Sequence, residues 1–370
     1  MKPFKYGCVV TGEAFCPRPA LENALVRHIR DGQNVVLVGE RRMGKTSLVY
    51  AALAALGKWR MLYVDLLNVR TAADVCNRVA TAAARLGDGA SIPGKALRFL
   101  ARLRPTLSID PANGSPVVSV DARAAEDPRS MEDVMSLVGK LAEKGRFFVV
   151  FDEFQDIRKI EGSDQILAML RSRIQLLQDT CFVFSGSVRT DIADIFSNPS
   201  SPFFKSALSL TVGPVPDDDF APFLLRRFAH GRRKADRAFV DRIFDFTNRT
   251  TGDVQQFCSA VWNVTEPGET LGDDALKRAL DDIFAQESGT FEAQTGRLTR
   301  FQFKTLVAVA KHGGRKVFSA DFLSRAELSS AATASRALKA LVADGLLFFH
   351  EGEYRFFNPF LRAWLLEKGY

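Results

Sequence analysis

The residues best suited to chemistry lie between positions 39 and 47, where the chain reads Gly-Glu-Arg-Arg-Met-Gly-Lys-Thr-Ser. This fits the Gly-x-x-x-x-Gly-Lys-Thr pattern of a P-loop, in which glycines let successive backbone N–H groups face phosphate oxygens. In such a loop Lys45 reaches the β- and γ-phosphates, and the Thr46 hydroxyl ligates Mg²⁺. The pattern predicts a binding loop for ATP and Mg²⁺ formed by Gly39, Glu40, Arg41, Arg42, Met43, Gly44, Lys45, Thr46 and Ser47.

Both flanks of this loop have the character that a P-loop requires. Four apolar residues, Val35–Val38, precede it and predict a buried strand. A run rich in Ala and Leu, residues 46–56, follows it and predicts a helix, whose N-terminus favours a bound anion. A chance match in a turn rich in Gly and Lys is the alternative, and it leaves both flanks unexplained.

Two acids follow a second apolar run. Residues 147–151 predict a strand that leads into Asp152 and Glu153. Downstream of a P-loop this suits a Walker B motif, in which Asp152 holds Mg²⁺, directly or through water, and Glu153 polarises the attacking water. A strand that ends in a helix cap is the alternative. We predict Thr46 and Asp152 as metal ligands, and Lys45 and Glu153 as catalytic residues.

A third strand, residues 181–184, ends in Ser185, Gly186 and Ser187. Where an extra strand separates the P-loop strand from the Walker B strand, its terminal hydroxyl can contact the γ-phosphate. Both serines are candidates for this sensor, and an ordinary turn is the alternative.

Arginines are candidates for stabilising transition-state charge, with surface or structural roles as the alternative. We favour Arg42 and Arg171, and the others are Arg41, Arg173 and Arg189.

Composition limits the class of protein. The chain has 370 residues, of which 46% are hydrophobic, enough for two or three globular domains. No apolar run approaches the roughly 20 residues of a membrane span, and the N-terminus lacks the apolar core of a signal peptide. The five cysteines form no Cys-x-x-Cys pair and only four histidines are present, which argues against a disulfide framework. We predict a cytoplasmic protein with no membrane partner.

Strands and helices alternate along the first 213 residues, which predicts a mostly parallel sheet covered by helices on both faces. Two short alternating stretches, 107–110 and 117–121, flank turn residues and predict an inserted β-hairpin. The pattern is helical from 217 to about 287. The predicted fold is therefore α/β, with a P-loop ATPase core (residues 1–213), a helical subdomain (214–287) and a C-terminal winged helix-turn-helix domain (288–370).

The winged helix is predicted from its order of elements: two short helices, a longer one (331–343), a hairpin and a last helix. Residues 291–370 carry twelve Lys and Arg against seven Asp and Glu, most of the chain's net charge of +7. In the candidate recognition helix, 329–339, only Arg336 and Lys339 are long cations, which predicts weak base reading. Lys311, Arg315 and Lys316 suit backbone contacts. DNA and a protein effector remain alternative partners.

The chain combines its P-loop with Phe15-x-x-Arg18, Phe151-Asp-Glu-Phe-Gln-Asp156, Leu170-Arg-Ser-Arg-Ile-Gln175, Phe184-Ser-Gly-Ser187 and Ser201-Pro-Phe-Phe204. Together these motifs resemble the archaeal-type ATPase family, of the STAND branch of AAA+-like P-loop ATPases, which is related to the Orc/Cdc6 initiator ATPases. The resemblance covers nearly the whole chain. It implies ATP binding by residues 39–47, handling of Mg²⁺ and water by Asp152 and Glu153, a catalytic sensor at Ser187, and a helical lid subdomain (214–287) over the nucleotide.

One segment departs from this family. Residues 251–256, Thr-Gly-Asp-Val-Gln-Gln, stand where the family has a Gly-x-Pro lid motif and initiator ATPases have Gly-Asp and a sensor arginine. Val254 replaces the proline and Gln255 stands near the arginine position, which favours slow or regulated hydrolysis. The sequence thus predicts an ATP-hydrolysing switch, able to form a homo-oligomer, whose nucleotide state reorients the winged helix. The alternatives are a DNA-binding regulator with nucleotide as a structural ligand, and an ATPase subunit of a defence or mobile-element system.

Overall fold

The computed structural model describes residues 3–86, 106–109, 116–119, 128–187, 192–328 and 330–370. Arg189, the turn of the inserted hairpin and Ser329 of the recognition helix lie outside the described residues. The chain divides into two compact units. The first unit is Val9–Val215, and the second unit joins Met1–Cys8 to Pro216–Tyr370.

The first unit alternates strands and helices. Two 3-10 helices, Gly12–Ala14 and Phe154–Lys159, accompany them. In chain order the elements are α1 (Pro19–Arg30), β1 (Val35–Val38), α2 (Lys45–Leu56), β2 (Arg60–Asp65), α3 (Ala72–Leu86), β3 (Thr106–Ile109), β4 (Pro116–Ser119), α4 (Pro128–Ala142), β5 (Phe147–Asp152), α5 (Ser163–Gln175), β6 (Cys181–Gly186), α6 (Ile192–Ser197) and β7 (Leu208–Thr211).

Five strands form a parallel sheet in the order β2-β5-β6-β1-β7. β6 lies between β1 and β5, as the sequence predicts for a strand inserted between the P-loop and Walker B strands. The register pairs Leu37 with Ser185 and Phe151 with Phe184. Because all strands run the same way, the ends of β1, β5 and β6 meet at one edge of the sheet. The predicted β-hairpin is also present, as the antiparallel pair of β3 and β4.

Apolar side chains on both faces of the sheet explain its central strands. Every residue of β5 and β6 is buried, which is typical of parallel strands covered by helices on both sides. One face packs against α3, α4 and α5, and the other against α1 and α2. A group of phenylalanines forms the centre of the first face next to Asp152: Phe151, Phe154, Phe182, Phe184, Phe196 and Phe203.

The strand β7 and the short helix α6 are absent from the sequence prediction. β7 pairs only with β1, and three of its four residues are exposed, so it has no continuous apolar run. Edge strands of this kind lack the apolar pattern that identifies central ones. The amphipathic pattern of residues 130–144 predicts a helix before β5, and α4 begins and ends two residues earlier than that pattern.

The second unit holds helices and one hairpin. Its elements are α7 (Asp217–His230), α8 (Arg237–Phe246), α9 (Thr251–Val264), α10 (Asp273–Thr295), α11 (Arg300–His312), α12 (Ala320–Arg325), α13 (Ala331–Ala343), β8 (Leu347–His350), β9 (Glu353–Phe356) and α14 (Pro359–Glu367). The prediction of two short helices before α13 is wrong for α11, because α11 and α13 each have 13 residues. A capping box between Thr299 and Gln302 fixes the start of α11. None of the described helices has the length and hydropathy needed to cross a bilayer.

The helical and winged-helix parts of the second unit share one core. Phe360 of α14 contacts Phe246 of α8 and Phe257 of α9. Trp364 of α14 contacts Phe291 of α10. Residues 287 and 288, the expected boundary of lid and winged helix, both lie inside the continuous helix α10. The two parts are therefore joined by packing as well as by sequence.

We expect Phe154→Ala to lower the stability of the first unit by about 3–5 kcal/mol, because it leaves a cavity among packed aromatic rings. Phe154 is fully buried and its ring centroid lies 4.7 Å from that of Phe184 and 5.3 Å from that of Phe203. Urea unfolding of the full chain measures the change. Phe204→Ala is the matched control, since Phe204 is exposed; equal losses in both variants would contradict the packing argument.

Candidate functional site

The loop 39–44 connects β1 to α2, and two of its glycines are required by geometry. Gly44 has φ of +85°, a left-handed conformation that side chains disfavour. A Cβ at Gly39 would lie 2.3 Å from the carbonyl oxygen of Val212, which follows β7. The Met43 side chain is buried in the core against α1 and α2. The loop is thus anchored by its own apolar side chain and by the strand beside it.

Lys45 is the first residue of α2, and its side chain is only 7% exposed. Its Nζ donates to the carbonyl oxygens of Gly39 and Glu40, each at 2.9 Å, so the ammonium lies across the loop. Burial lowers the pKa of Lys45, while the carboxylates of Glu153 and Asp152 oppose that shift. A poorly hydrated ammonium gains most from a charged acceptor such as a phosphate oxygen.

The Asp152 carboxylate connects three elements. Its Oδ2 accepts hydrogen bonds from the Thr46 hydroxyl at 2.8 Å and from the Tyr63 hydroxyl at 2.5 Å. Its Oδ1 accepts from the backbone N–H of Glu153 at 3.1 Å. Burial raises the pKa of Tyr63, and the neighbouring Asp152 charge raises it further, so this hydroxyl stays protonated and donates.

The donor set of Thr46 and Asp152 fits Mg²⁺. Both residues offer hard oxygen ligands, and Mg²⁺ in nucleotide sites is held by one or two protein oxygens together with phosphates and water. The structure brings these two predicted ligands together. Tyr63, by contrast, was not identified from sequence; the signal available was a tyrosine in β2, the strand that pairs with β5.

Glu153 follows directly at the end of β5. Its φ of +51° is left-handed, an uncommon conformation for a residue with a side chain and one found often at functional sites. It caps the 3-10 helix that begins at Phe154. One carboxylate oxygen, Oε2, accepts a hydrogen bond from the Gln155 side chain at 2.5 Å. The predicted general base therefore stands beside the predicted metal ligand, with its carboxylate oriented.

The two sensor candidates differ in their surroundings. Ser185 is fully buried beside Leu37 of β1, and among the described residues its Oγ has no hydrogen-bond partner. Ser187 is also buried, and it is not without an interaction partner. A buried hydroxyl without a partner is uncommon in native structures and favours Ser185 as a group that awaits a ligand. The role of Ser187 stays a prediction.

Among the arginine candidates, Arg173 forms an ion pair with Glu132 of α4, which occupies its charge within the first unit. Arg171 is half-buried, and burial lowers its pKa. Arg41 and Arg42 are exposed on the loop. Arg42 has φ of +65°, so its conformation matches a tight turn.

Arg18, quoted above only for its family resemblance, has a structural role at the loop. It is 4% exposed, and its guanidinium donates to the carbonyl oxygen of Met43 at 2.5 Å and to that of Gly213 at 2.8 Å. Burial lowers its pKa. One cation thus joins the P-loop to the segment that leaves the sheet after β7. No local pattern in the sequence reveals a contact across 195 residues.

In the second unit, the segment that departs from the family pattern forms the start of α9. Asp253 and Gln255 are buried there, and Gln256 donates to the Glu287 carboxylate of α10 at 2.6 Å. The glutamine at the position of a sensor arginine is thus 5% exposed. This segment joins α9 to α10.

Two family models match the chain. The model of an AAA domain matches residues 27–191, and that of a probable winged helix domain matches residues 289–367. Among curated proteins, no relative matches the sequence.

Solved structures are similar over almost the full length. The Walker-type ATPase of Pyrococcus abyssi has 19% identity and a TM-score of 0.61, with 96% of this chain and 97% of that one covered. The ORC1 protein of Aeropyrum pernix, solved in complex with DNA, has 14% identity and a TM-score of 0.54, with 97% and 94% covered. The ORC2 protein of Aeropyrum pernix in its ADP form has 14% identity and a TM-score of 0.51, with 98% of each chain covered.

The parallel sheet, with the loop after β1 and the acids after β5, defines a P-loop ATPase fold of the AAA class. The chain carries this AAA domain together with a C-terminal winged helix domain, on the fold of the archaeal Orc/Cdc6-type ATPases.

Because the Tyr63 hydroxyl holds the carboxylate that would face the metal, we expect Tyr63→Phe to raise the Mg²⁺ concentration needed for tight nucleotide binding about tenfold. Binding in the presence of EDTA should stay unchanged. Titration of a fluorescent ATP analogue at several Mg²⁺ concentrations measures this. Tyr50→Phe is the control, since its ring contacts Tyr63 at a centroid distance of 5.9 Å without that hydrogen bond; an equal effect there would contradict the assignment.

Proposed function

We propose that this protein is an ATP-hydrolysing switch in which nucleotide state is coupled to a winged-helix module. The observation that carries the proposal is the convergence of Lys45, Thr46, Asp152 and Glu153 at one edge of the sheet, with Thr46 hydrogen-bonded to Asp152 at 2.8 Å. Binding alone requires the loop and the metal carboxylate. A second acid at the end of the same strand suits a site that also activates water.

Each residue has a distinct part in this chemistry. The loop N–H groups and Lys45 would bind the phosphates, and Thr46 and Asp152 would hold Mg²⁺, which would supply positive charge beside the phosphate oxygens. Glu153 orients a water molecule and accepts its proton as that water attacks the γ-phosphorus. Ser185 or Ser187 donates to the γ-phosphate. No arginine occupies the lid-sensor position at Gln255, which supports slow or regulated turnover.

Coupling to the winged helix follows from the shared core of the second unit. Phe360 packs on Phe246 and Phe257, and α10 is continuous across residues 287 and 288. A change that displaces the lid helices therefore carries the winged helix with it. Arg18 connects the P-loop to the chain that leads out of the first unit, because its guanidinium donates to the carbonyl oxygens of Met43 and Gly213.

DNA is a second candidate partner, favoured by the exposed cations of the winged helix domain. Arg336 and Lys339 are exposed on α13, and Lys311 and Lys316 are exposed near the end of α11. Arg315, also exposed, is paired with Glu353 of β9 at 3.4 Å. One similar structure, the Aeropyrum pernix ORC1 protein, was solved with DNA. A protein effector, including one in a defence or mobile-element system, is the alternative partner.

Glu153→Gln keeps the size of the side chain and removes the base, so we expect it to retain ATP and lower turnover by at least about a hundredfold. Lys45→Ala removes the phosphate cation, so it should lose most nucleotide affinity while the protein stays folded. Single-turnover hydrolysis and nucleotide retention measure both effects. Equal turnover in wild type and Glu153→Gln would show that the protein does not hydrolyse ATP by this route.

Any DNA binding should be led by backbone contacts, because only Arg336 and Lys339 of α13 are suited to read bases. Neutralising Lys311, Arg315 and Lys316 together should weaken binding alike on unrelated sequences and reduce the salt slope by about 3. Lys277→Ala, an exposed lysine of α10, is the control. A preference of roughly a thousandfold for one sequence would contradict this view, and no binding at low salt would favour a protein effector.

A further inference from the structure

Gln155 belongs to the acidic motif at the end of β5 but has no part in the chemistry described so far. It is the second residue of the 3-10 helix Phe154–Lys159, two residues beyond Glu153. Its side chain is 3% exposed, although it is polar. Buried side-chain amides make hydrogen bonds in most native structures, so the contacts of Gln155 indicate its role.

The amide nitrogen of Gln155 lies between two carboxylates. Nε2 donates to Glu153 Oε2 at 2.5 Å and approaches Asp156 Oδ1 at 3.4 Å. Asp156 is 2% exposed and fixed in turn, because its Oδ2 accepts from the backbone N–H of Asn68 at 2.7 Å and from Lys159 Nζ at 2.9 Å. The reversed amide would place its carbonyl oxygen against both acids, so the two carboxylates determine the orientation.

The amide oxygen of Gln155 lies on the other side, at the end of β6. A Cβ at Gly186 would lie 2.1 Å from it, so only glycine leaves room for the carboxamide there. Among the described residues this oxygen has no hydrogen-bond partner. Gln155 thus fills the space between the strand end that carries Glu153 and the strand end that carries the sensor serines.

We propose that Gln155 is a positioning residue for Glu153, an inference that rests on the proposed ATP hydrolysis. By holding Oε2, the amide fixes the direction of the carboxylate and leaves Oε1 to accept the proton of the attacking water. Asp156 and Gly186 fix the amide itself, one by a charged acceptor and the other by the space it leaves. Gln155 contacts neither water nor nucleotide in this role and acts through Glu153.

The test is a double-mutant cycle of Gln155→Met, Glu153→Gln and the two combined. Methionine has nearly the length of glutamine and cannot hold the carboxylate. We expect Gln155→Met to lower kcat about 10- to 100-fold with ATP affinity changed less than about threefold, and the double variant to match Glu153→Gln alone. Gln155→Glu should lower kcat further, because it places a third carboxylate beside the other two. Gln165→Met, on the exposed side of α5, is the matched control and should keep wild-type turnover.

Two outcomes overturn the proposal. If the losses of Gln155→Met and Glu153→Gln multiply in the double variant, Gln155 acts independently of Glu153. If Gln155→Met keeps wild-type turnover, the amide is dispensable. A wild type that binds ATP without turnover would instead refute the proposed hydrolysis. In that case crystal structures of wild type and Gln155→Met decide the positioning role, and an unchanged Glu153 carboxylate without the amide overturns it.

Discussion

The parallel alignment of β1, β6 and β5 is the constraint on which the rest of this molecule depends. The apolar residues of these strands are covered by helices on both faces of the sheet. The polar residues at the end of each strand therefore lie at the edge of the sheet, beyond the covering helices. Neighbouring parallel strands must then present those ends together. The loop, the two acids and the two serines come from three separate regions of sequence and meet for this reason alone.

This geometry concentrates charge in a poorly hydrated place. Lys45, Asp152 and Asp156 are each less than 10% exposed, and burial of such groups is costly unless each has a partner. Here the acids accept hydrogen bonds from hydroxyl, amide and backbone donors, and the ammonium donates to loop carbonyls. The arrangement is satisfied on the protein side, while the Oγ of Ser185 and the amide oxygen of Gln155 keep free acceptor capacity among the described residues. Both atoms lie near the end of β6.

The sequence predicted the features that depend on short-range pattern. The P-loop, the strand before Asp152 and helix α13 all have local periodicity or a motif, and the structure has them at those positions. It did not predict β7, whose exposed edge has no apolar run, or the site roles of Tyr63 and Arg18. Tyr63 acts across a strand pair and Arg18 across 195 residues, so their roles are properties of the folded chain. The domain boundary expected at residue 288 stays a prediction, and helix α10 continues through it.

The continuity of α10 has a consequence for how such a chain can diverge. A winged helix domain attached by a flexible linker can be exchanged between proteins, because few contacts cross the domain boundary. Here the last helix packs its aromatic side chains into the helices that precede the domain, so a transplanted winged helix would arrive without its complementary surface. Substitutions on the exposed face of α13 and on the hairpin would change the surface of the domain without disturbing this packing.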